Sequence, residues 1–330
     1  MLNTYALAGA GLIRHQHAAV DSELDGALHS ALWIDLLEPS VEEERAVEKA
    51  LGIDVPTREE MREIESSNRL YEEDGGVYLT STLVTKLDTD LPQSTQVTFI
   101  LKDGRLITNR YTDPLPFKRY TSYAERHSTT CNSSVAVLGG LVESIVNRIA
   151  DVVERVGADL DAISVEIFAR GHSGRQRARH RNYRAVLERV GQSGELIAKT
   201  RESLVSLGRL LAFVQQSSAV TLTNEVRGRL RTLSRDVVAM SDHASFLGNN
   251  VSFILDATLG MVNIDQNNIL KIFSVVTVFL LPPSVIGAIY GMNFEHIPWT
   301  HESWGFGAAL GLMAASSILP WLLFKRRGWL

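Results

Sequence analysis

The stretch "LLPPSVIGAIYGMNFEHIP", residues 280–298, decides how this chain is organised. It joins two apolar runs near the C-terminus. Ile272 to Tyr290 carries no charged residue, and neither does Trp304 to Phe324. A bilayer core of about 30 Å is crossed by roughly 20 helical residues, and both runs have that length. The internal prolines, Pro282, Pro283 and Pro320, are tolerated in a membrane helix whose neighbours satisfy the freed carbonyls. A buried hairpin in a soluble core is the competing reading, but such helices are usually shorter. Lys271 precedes the first run, and Lys325, Arg326 and Arg327 follow the second. The linking loop holds Glu295 and Glu302 but no Lys or Arg. The positive-inside rule then places both ends in the cytoplasm and the loop outside.

The bulk numbers agree with a split chain. The 330 residues allow two or three domains. Residues 1–265 read as an ordinary soluble protein, and the long apolar runs lie after them. A net charge of −5 implies no bulk attraction to nucleic acid. One cysteine, Cys131, cannot form an internal disulfide, which fits a reducing cytosol. The start, "MLNTYALAGAGLIRH", lacks the basic and apolar regions of a signal peptide.

Residues 1–132 read as an α/β domain. "ALWIDLLEPS" predicts a strand ending at Pro39. "SVEEERAVEKALG" predicts a helix with Ser40 and Glu43 as a capping box and Gly52 as its stop. "TREEMREIES" repeats that device with Thr57 and Glu60. "GVYLTSTLVT" and "TQVTFILKDGRLITNRY" are strand-rich, with a hairpin turn at Asp103-Gly104. "LPFKRYTSYAERH" predicts a helix. No proline occurs between Pro116 and Pro282, which permits very long helices. A helical hairpin is expected over 133–222, with helices at about 134–170 and 182–217. Its tip, 171–184, is basic. A stalk helix starts near Thr223, has its cytoplasmic part over 223–268 and runs into a first span, 269–290. An outer loop (291–303), a second span (304–324) and a basic tail (325–330) complete the chain.

The stalk carries two patterns. Leu230, Leu233, Val237, Met240, Ala244, Leu247, Val251 and Ile254 form a heptad seam, which wants a partner helix. Asp242, Asn249, Asp256 and Asn263 recur every seven residues on another face. In the membrane Asn267, Ser274, Thr277, Leu281, Ser284, Ala288 and Gly291 share roughly one face. Such a stripe either packs against other helices or faces water. It holds no carboxylate or base at mid-membrane, which argues against a proton relay. Two spans cannot enclose a water-filled path, so a pore needs several copies. A symmetric ring would gather copies of Asn293, whose neutral amide oxygens can hold a hydrated Mg²⁺ loosely enough to release it.

"YGMNFEHIP" resembles the Gly-Met-Asn signature of the CorA family of divalent-cation channels. The likeness extends through "NNILKIFSVVTVFLLPPSVIGAIYGMNF", "LPWLLFKRRGWL", "WIDLLEP" and "EMREIE", and it is weakest over 165–225. The resemblance implies a homopentamer in the inner membrane, with a cytoplasmic α/β funnel, long stalk helices and two C-terminal transmembrane helices. It places Gly291, Met292 and Asn293 at the outer mouth as the selectivity filter. It assigns Asn267, Leu281, Ser284 and Ala288 to pore-facing positions, beside Ser274 and Thr277 of the stripe, and Phe273 near a hydrophobic constriction. Glu295 matches an acidic loop position that attracts cations. Mg²⁺ is the implied substrate, with Co²⁺ and Ni²⁺ also carried. Cytoplasmic Mg²⁺ is also the implied regulatory ligand, binding between subunits at Glu63 and Asp256 to close the channel. No organic cofactor is expected.

The tip departs from the acidic tip of many relatives. "GRQRARHRNYR" has five arginines and no acid, so it cannot attract Mg²⁺. Anionic lipid and a neighbour's acidic stretch 59–74 are its possible contacts. His296 and His301 could favour a softer ion such as Zn²⁺. Two other functions therefore stand beside Mg²⁺ transport: a proton-coupled Zn²⁺ importer of the same superfamily, and a non-conducting membrane-anchored sensor or scaffold. No P-loop, His-Glu-x-x-His, Cys/His metal spacing or serine elbow points to an enzyme, and "GAG" at 9–11 is too short for a dinucleotide loop.

Overall fold

A computed structural model describes residues 1–8, 11–17, 22–89, 91–127, 130–168, 182–293, 297–299 and 302–327. The chain divides into two compact units, Met1–Leu255 and Asp256–Leu330.

The first unit is built on a seven-stranded sheet of order β2-β1-β3-β7-β6-β5-β4. Its strands are β1 (Leu2–Ala8), β2 (Gly11–His17), β3 (Trp33–Leu37), β4 (Leu70–Glu73), β5 (Gly76–Thr85), β6 (Gln93–Lys102) and β7 (Arg105–Arg110). All neighbours are antiparallel except β3 and β7. The β6–β7 hairpin turns at Asp103-Gly104, both at positive φ (50° and 76°), as a tight hairpin turn demands. Side chains alternate across the sheet. Ile34, Leu36, Ile100 and Ile107 pack with α1 (Ser22–Ser30) and α2 (Val41–Leu51), and a short α3 (Ser66–Arg69) leads into β4. Trp33 and Phe99 meet Tyr120 and Phe117 of α4 (Leu115–Ala124) at ring distances of 6.0 and 6.3 Å.

A buried ion pair joins the parallel strands. Arg110 donates Nε to Asp35 Oδ1 at 2.9 Å and Nη2 to Oδ2 at 2.8 Å. Thr108 Oγ1 donates to Asp35 Oδ1 and accepts from Trp33 Nε1. Arg110 Nη1 reaches Asp113 and the Thr112 carbonyl, and the guanidinium lies 4.6 Å over the Phe117 ring. Every charge in this network is met, which is the condition for burying it.

Long helices follow, as the missing prolines permit. They are α5 (Ser134–Phe168), α6 (Tyr183–Gln216) and the 67-residue α7 (Asn224–Tyr290). The seam of α7 is occupied within the chain. Leu230, Leu233, Val237, Ala244, Leu247 and Ile254 are buried. A Cβ at Gly139 or Gly157 of α5 would meet Leu230 or Leu247 within 4 Å, and one at Gly194 or Gly208 of α6 would meet Val251 or Val237. The partner that the heptads call for is thus α5 and α6, so the seam is no argument for several copies. Its polar companions Asp242, Asn249, Asp256 and Asn263 are exposed. Arg148 of α5 donates to both Asp88 oxygens and fixes the β5–β6 connection. Those hydrogen bonds hold the Asp88 carboxyl below the usual carboxylate range.

The second unit pairs the last part of α7 with α8 (Gly305–Arg326). None of the most apolar stretch of α7 is buried within the chain, and almost none of α8 is. A helix hidden in a soluble core would be covered, so this exposure favours lipid-facing spans. Trp299 and Trp304 pair at 5.7 Å at the start of α8, and Lys325 caps the Trp321 ring at 4.9 Å near its end. Such aromatic anchors suit the two bilayer interfaces. Pro283 finds its compensation across the hairpin. Pro283 has no N–H to give the Phe279 carbonyl, and Ser317 Oγ of α8 donates to that carbonyl at 3.0 Å.

One sequence expectation changes here. "TREEMREIES" holds its capping bonds, Thr57 with Glu60, but yields only a 3₁₀ turn, Glu60–Arg62, because Glu63 turns extended at ψ 141°. The start of the chain, not assigned to any element from its sequence, is the β1–β2 hairpin, with Ala8 opposite Gly11. The basic tip lies outside the described residues except for 182–184.

Two outcomes test these contacts. Arg110→Ala leaves Asp35 buried and unpaired and should cost about 3–5 kcal/mol, read as a lower melting temperature of the full chain in detergent. Ser317→Ala should cost the membrane hairpin about 0.6 kcal/mol, a shift that Ser316→Ala, whose hydroxyl serves Met313 of its own helix, should not match.

Candidate functional site: the polar face of the first span

Packing within the second unit decides which face of α7 is free. A Cβ at Gly287 would lie 3.3 Å from Met313 Cε. Phe279 meets Phe324 edge-on at 6.5 Å. Val275, Val278, Phe279, Pro282, Pro283, Ile286, Gly287 and Tyr290 are correspondingly half-buried. The opposite face carries Asn267, Phe273, Ser274, Thr277, Leu281, Ser284, Ala288 and Gly291, all exposed. The polar stripe therefore does not serve contact with α8. Of the two readings of the stripe, packing against other helices is narrowed to helices other than α8, and facing water stands beside it.

The stripe's hydroxyls are anchored locally. Ser274 donates to Leu270 O at 2.9 Å, Thr277 to Phe273 O at 2.8 Å and Ser284 to Leu280 O at 2.6 Å. Each donor is thereby satisfied without water, while the oxygen lone pairs stay available as acceptors. Neutral oxygens spaced along one helix face suit a passing hydrated cation and offer no proton to exchange.

Above the stripe the helix closes on Gly291. Its N–H donates to Gly287 O at 2.9 Å, and Met292 N–H donates to Ile289 O at 3.2 Å. Gly291 is not in the left-handed region. A Cβ there would stand 3.2 Å from Gly287 O, a tight approach to the helix's own preceding turn. Met292 and Asn293 are exposed beyond it. At the far end of the loop a Cβ on Gly305 would overlap the Trp299 carbonyl at 1.9 Å, and Trp299 itself takes φ 68°. Glu295, His296 and His301 lie outside the described residues.

The regulatory candidates lie in different units. Glu63 is exposed and accepts a hydrogen bond from Asn68 Nδ2. It lines a cleft of about 320 Å³ with Asp54, Glu60 and Glu73. Asp54 and Glu73 were not singled out from the sequence, where they stand nine before and ten after Glu63. The signal was there only in the acidic run 72–74. Asp256 is exposed on α7. Among the described residues no group of three or more His, Cys, Asp or Glu is placed to hold a metal ion.

Comparison with known proteins agrees with this architecture. The family model described as "CorA-like Mg2+ transporter protein" matches residues 29–326. A magnesium transport protein CorA from Pasteurella multocida is 32% identical over 330 residues, the whole of both chains. One from Haemophilus ducreyi is 34% identical over 332 residues, again end to end. Among solved structures, the complete CorA magnesium transporter from Methanocaldococcus jannaschii superposes with a TM-score of 0.75 at 19% identity, covering 100% of this chain and 99% of the other. The α/β unit, the long helices and the two terminal apolar helices are thus a shared plan, and the chain belongs to the CorA-like Mg²⁺ transporter family.

Proposed function

We propose that copies of this chain form a symmetric ring, the homopentamer that the family resemblance implies, and pass Mg²⁺ through the axis. The observation that carries this reading is the stripe on α7 turned away from α8. In lipid, such a face needs a protein or water neighbour. A ring supplies both: copies flank one another and the stripe lines the wet axis. Asn267, Ser274, Thr277, Ser284 and Ala288 give a path of small or oxygen-bearing side chains. Phe273 and Leu281 interrupt it with apolar rings, where a gate by dewetting belongs.

Gly291, Met292 and Asn293 form the outer filter in this reading. Mg²⁺ sheds its waters reluctantly, so a ring of amide oxygens selects the hydrated ion and lets it go. Glu295 raises the local cation concentration. Co²⁺ and Ni²⁺, of similar hydrated form, share the route. The helices sit in the inner membrane with both termini cytoplasmic, as the basic flanks favour. The absence of a titratable group on the stripe disfavours proton-coupled Zn²⁺ import. A silent scaffold would give the stripe no task.

Closure by cytoplasmic Mg²⁺ would draw on the acidic cleft beside Glu63, although no three of its acids are placed to hold the ion within one chain. Carboxylates of Asp54, Glu60, Glu63 and Glu73 are hard oxygen donors of the kind Mg²⁺ takes. A second subunit's Asp256 would complete a site that one chain does not hold. Binding would pin neighbours together, and release would free them.

Two measurements test these proposals. In liposomes with low internal Mg²⁺, wild-type protein should admit Mg²⁺. Asn293→Ala should lower that flux at least about tenfold while the oligomer survives on size exclusion. Flux of Zn²⁺ alone, following a pH gradient, would replace the channel with the coupled importer, and no flux of either ion would leave the scaffold. Second, Mg²⁺ should protect the wild type from limited proteolysis. Glu63→Gln with Asp256→Asn should raise the protecting concentration about tenfold, since ligand charge sets such affinities. Unchanged protection would remove these residues from the gate.

A further inference from the structure

The short segment around the 3₁₀ turn Glu60–Arg62 sorts its charges to two sides. Met61 is buried and anchors the turn. Glu60 and Glu63 line the acidic cleft described above. Arg58 and Arg62 line a different one, of about 580 Å³, within the first unit. Its remaining walls are Thr85 of β5, the run Gln93–Gln96 of β6, Tyr111, Thr112 and Lys199 of α6. A volume of this size is ordinary for a small-molecule site.

Three cations line this cleft and no carboxylate does. Lys199 is held at its rim by Glu195 and the Pro92 carbonyl. Tyr111 donates its hydroxyl to Glu44. Arg58 lies 5.4 Å over the Tyr111 ring. Among the described residues neither Arg58 nor Arg62 has an ion pair, although acids at 59, 60, 63 and 65 are their near neighbours in sequence. The start of β6, Gln93–Gln96, makes one wall of polar residues.

Two guanidiniums without an acid partner, a lysine and a wall of polar residues share one complement: an anion with several oxygens. Guanidinium forks bind phosphate oxygens in pairs, and lysine adds a point charge. A single small anion would leave most of the cleft unfilled, whereas a chain of phosphates spans several of its donors. We propose that this cleft binds an oligophosphate anion, with Arg58 and Arg62 as its principal contacts and Lys199 as the third cation. The site belongs to the α/β unit and does not depend on ion conduction. Inorganic oligophosphate and the phosphates of a nucleoside triphosphate carry the same chemistry, and the Tyr111 ring is the feature that could tell them apart.

The test is titration calorimetry on the full chain in detergent micelles, in buffer freed of divalent ions by resin, because a dissolved chelator would itself compete as a polyanion. The probes are inorganic tripolyphosphate and ATP, with sulfate as control. Saturable binding of tripolyphosphate or ATP with Kd below about 1 mM is expected, tighter than for sulfate. Arg58→Gln with Arg62→Gln should weaken it at least about tenfold, and Arg58→Lys with Arg62→Lys should restore part of the loss. Melting temperature checks the fold of each variant. ATP binding tighter than tripolyphosphate, with the difference lost in Tyr111→Leu, assigns the nucleotide form; equal affinities assign the bare phosphate chain. No saturable binding, binding no tighter than sulfate, or binding that the double Gln variant leaves unchanged in a folded protein overturns the proposal.

Discussion

The contact between α7 and α8 settles what the rest of the membrane unit can do. Hydrocarbon supplies no hydrogen bonds, so each carbonyl freed by a proline must be met by protein. Ser317 meets the Phe279 carbonyl that Pro283 releases, and Gly287 lets Met313 come close enough for the helices to touch. That seats α8 on one side of α7. Asn267, Ser274, Thr277, Ser284, Ala288 and Gly291 are then on the other side. The hydroxyls there are tied to their own backbone, which keeps them compatible with a dry neighbour and still able to accept from water.

The α/β unit solves a different problem. Its central strands are covered on both faces, and the parallel β3–β7 step carries a charged pair in that dry setting. Arg110 and Asp35 are tolerable there because Thr108, Trp33, Thr112, Asp113 and Phe117 occupy the remaining valences. The helical part is held differently, by leucines and valines of α7 resting on glycines of α5 and α6. This changes the case for an oligomer. The heptad seam looks from the sequence like a surface for another copy, yet its own chain fills it. The need for neighbours comes instead from the uncovered membrane face.

Much was legible early because it rests on local rules. The Ser40–Glu43 box and the Gly52 stop follow from orphan donors and acceptors at helix ends. The Asp103-Gly104 turn follows from the φ values a tight hairpin needs, and the long helices from the absence of proline. The β1–β2 hairpin was missed because "LNTYALAGAGLIRHQH" lacks a clean alternation: its pattern is buried at one end and exposed at the other. The helix expected after Thr57 failed because a capping box starts a helix but does not continue one, and the chain turns extended at Glu63.

The sequence by itself determined the two apolar runs, their basic flanks, the Gly-Met-Asn loop and the seven-residue rhythm of polar positions along α7. These depend on side-chain chemistry and on helical periodicity, which are written in order along the chain. Tertiary structure alone decided which face of α7 meets α8, where the heptad seam finds its partner, and how one acidic segment can send Glu60 and Glu63 to one cleft and Arg58 and Arg62 to another. Those outcomes depend on which surfaces meet in space. Surfaces meet through contacts between residues far apart in the chain, such as Ser317 with Phe279 or Lys199 with Pro92, and no local pattern specifies them.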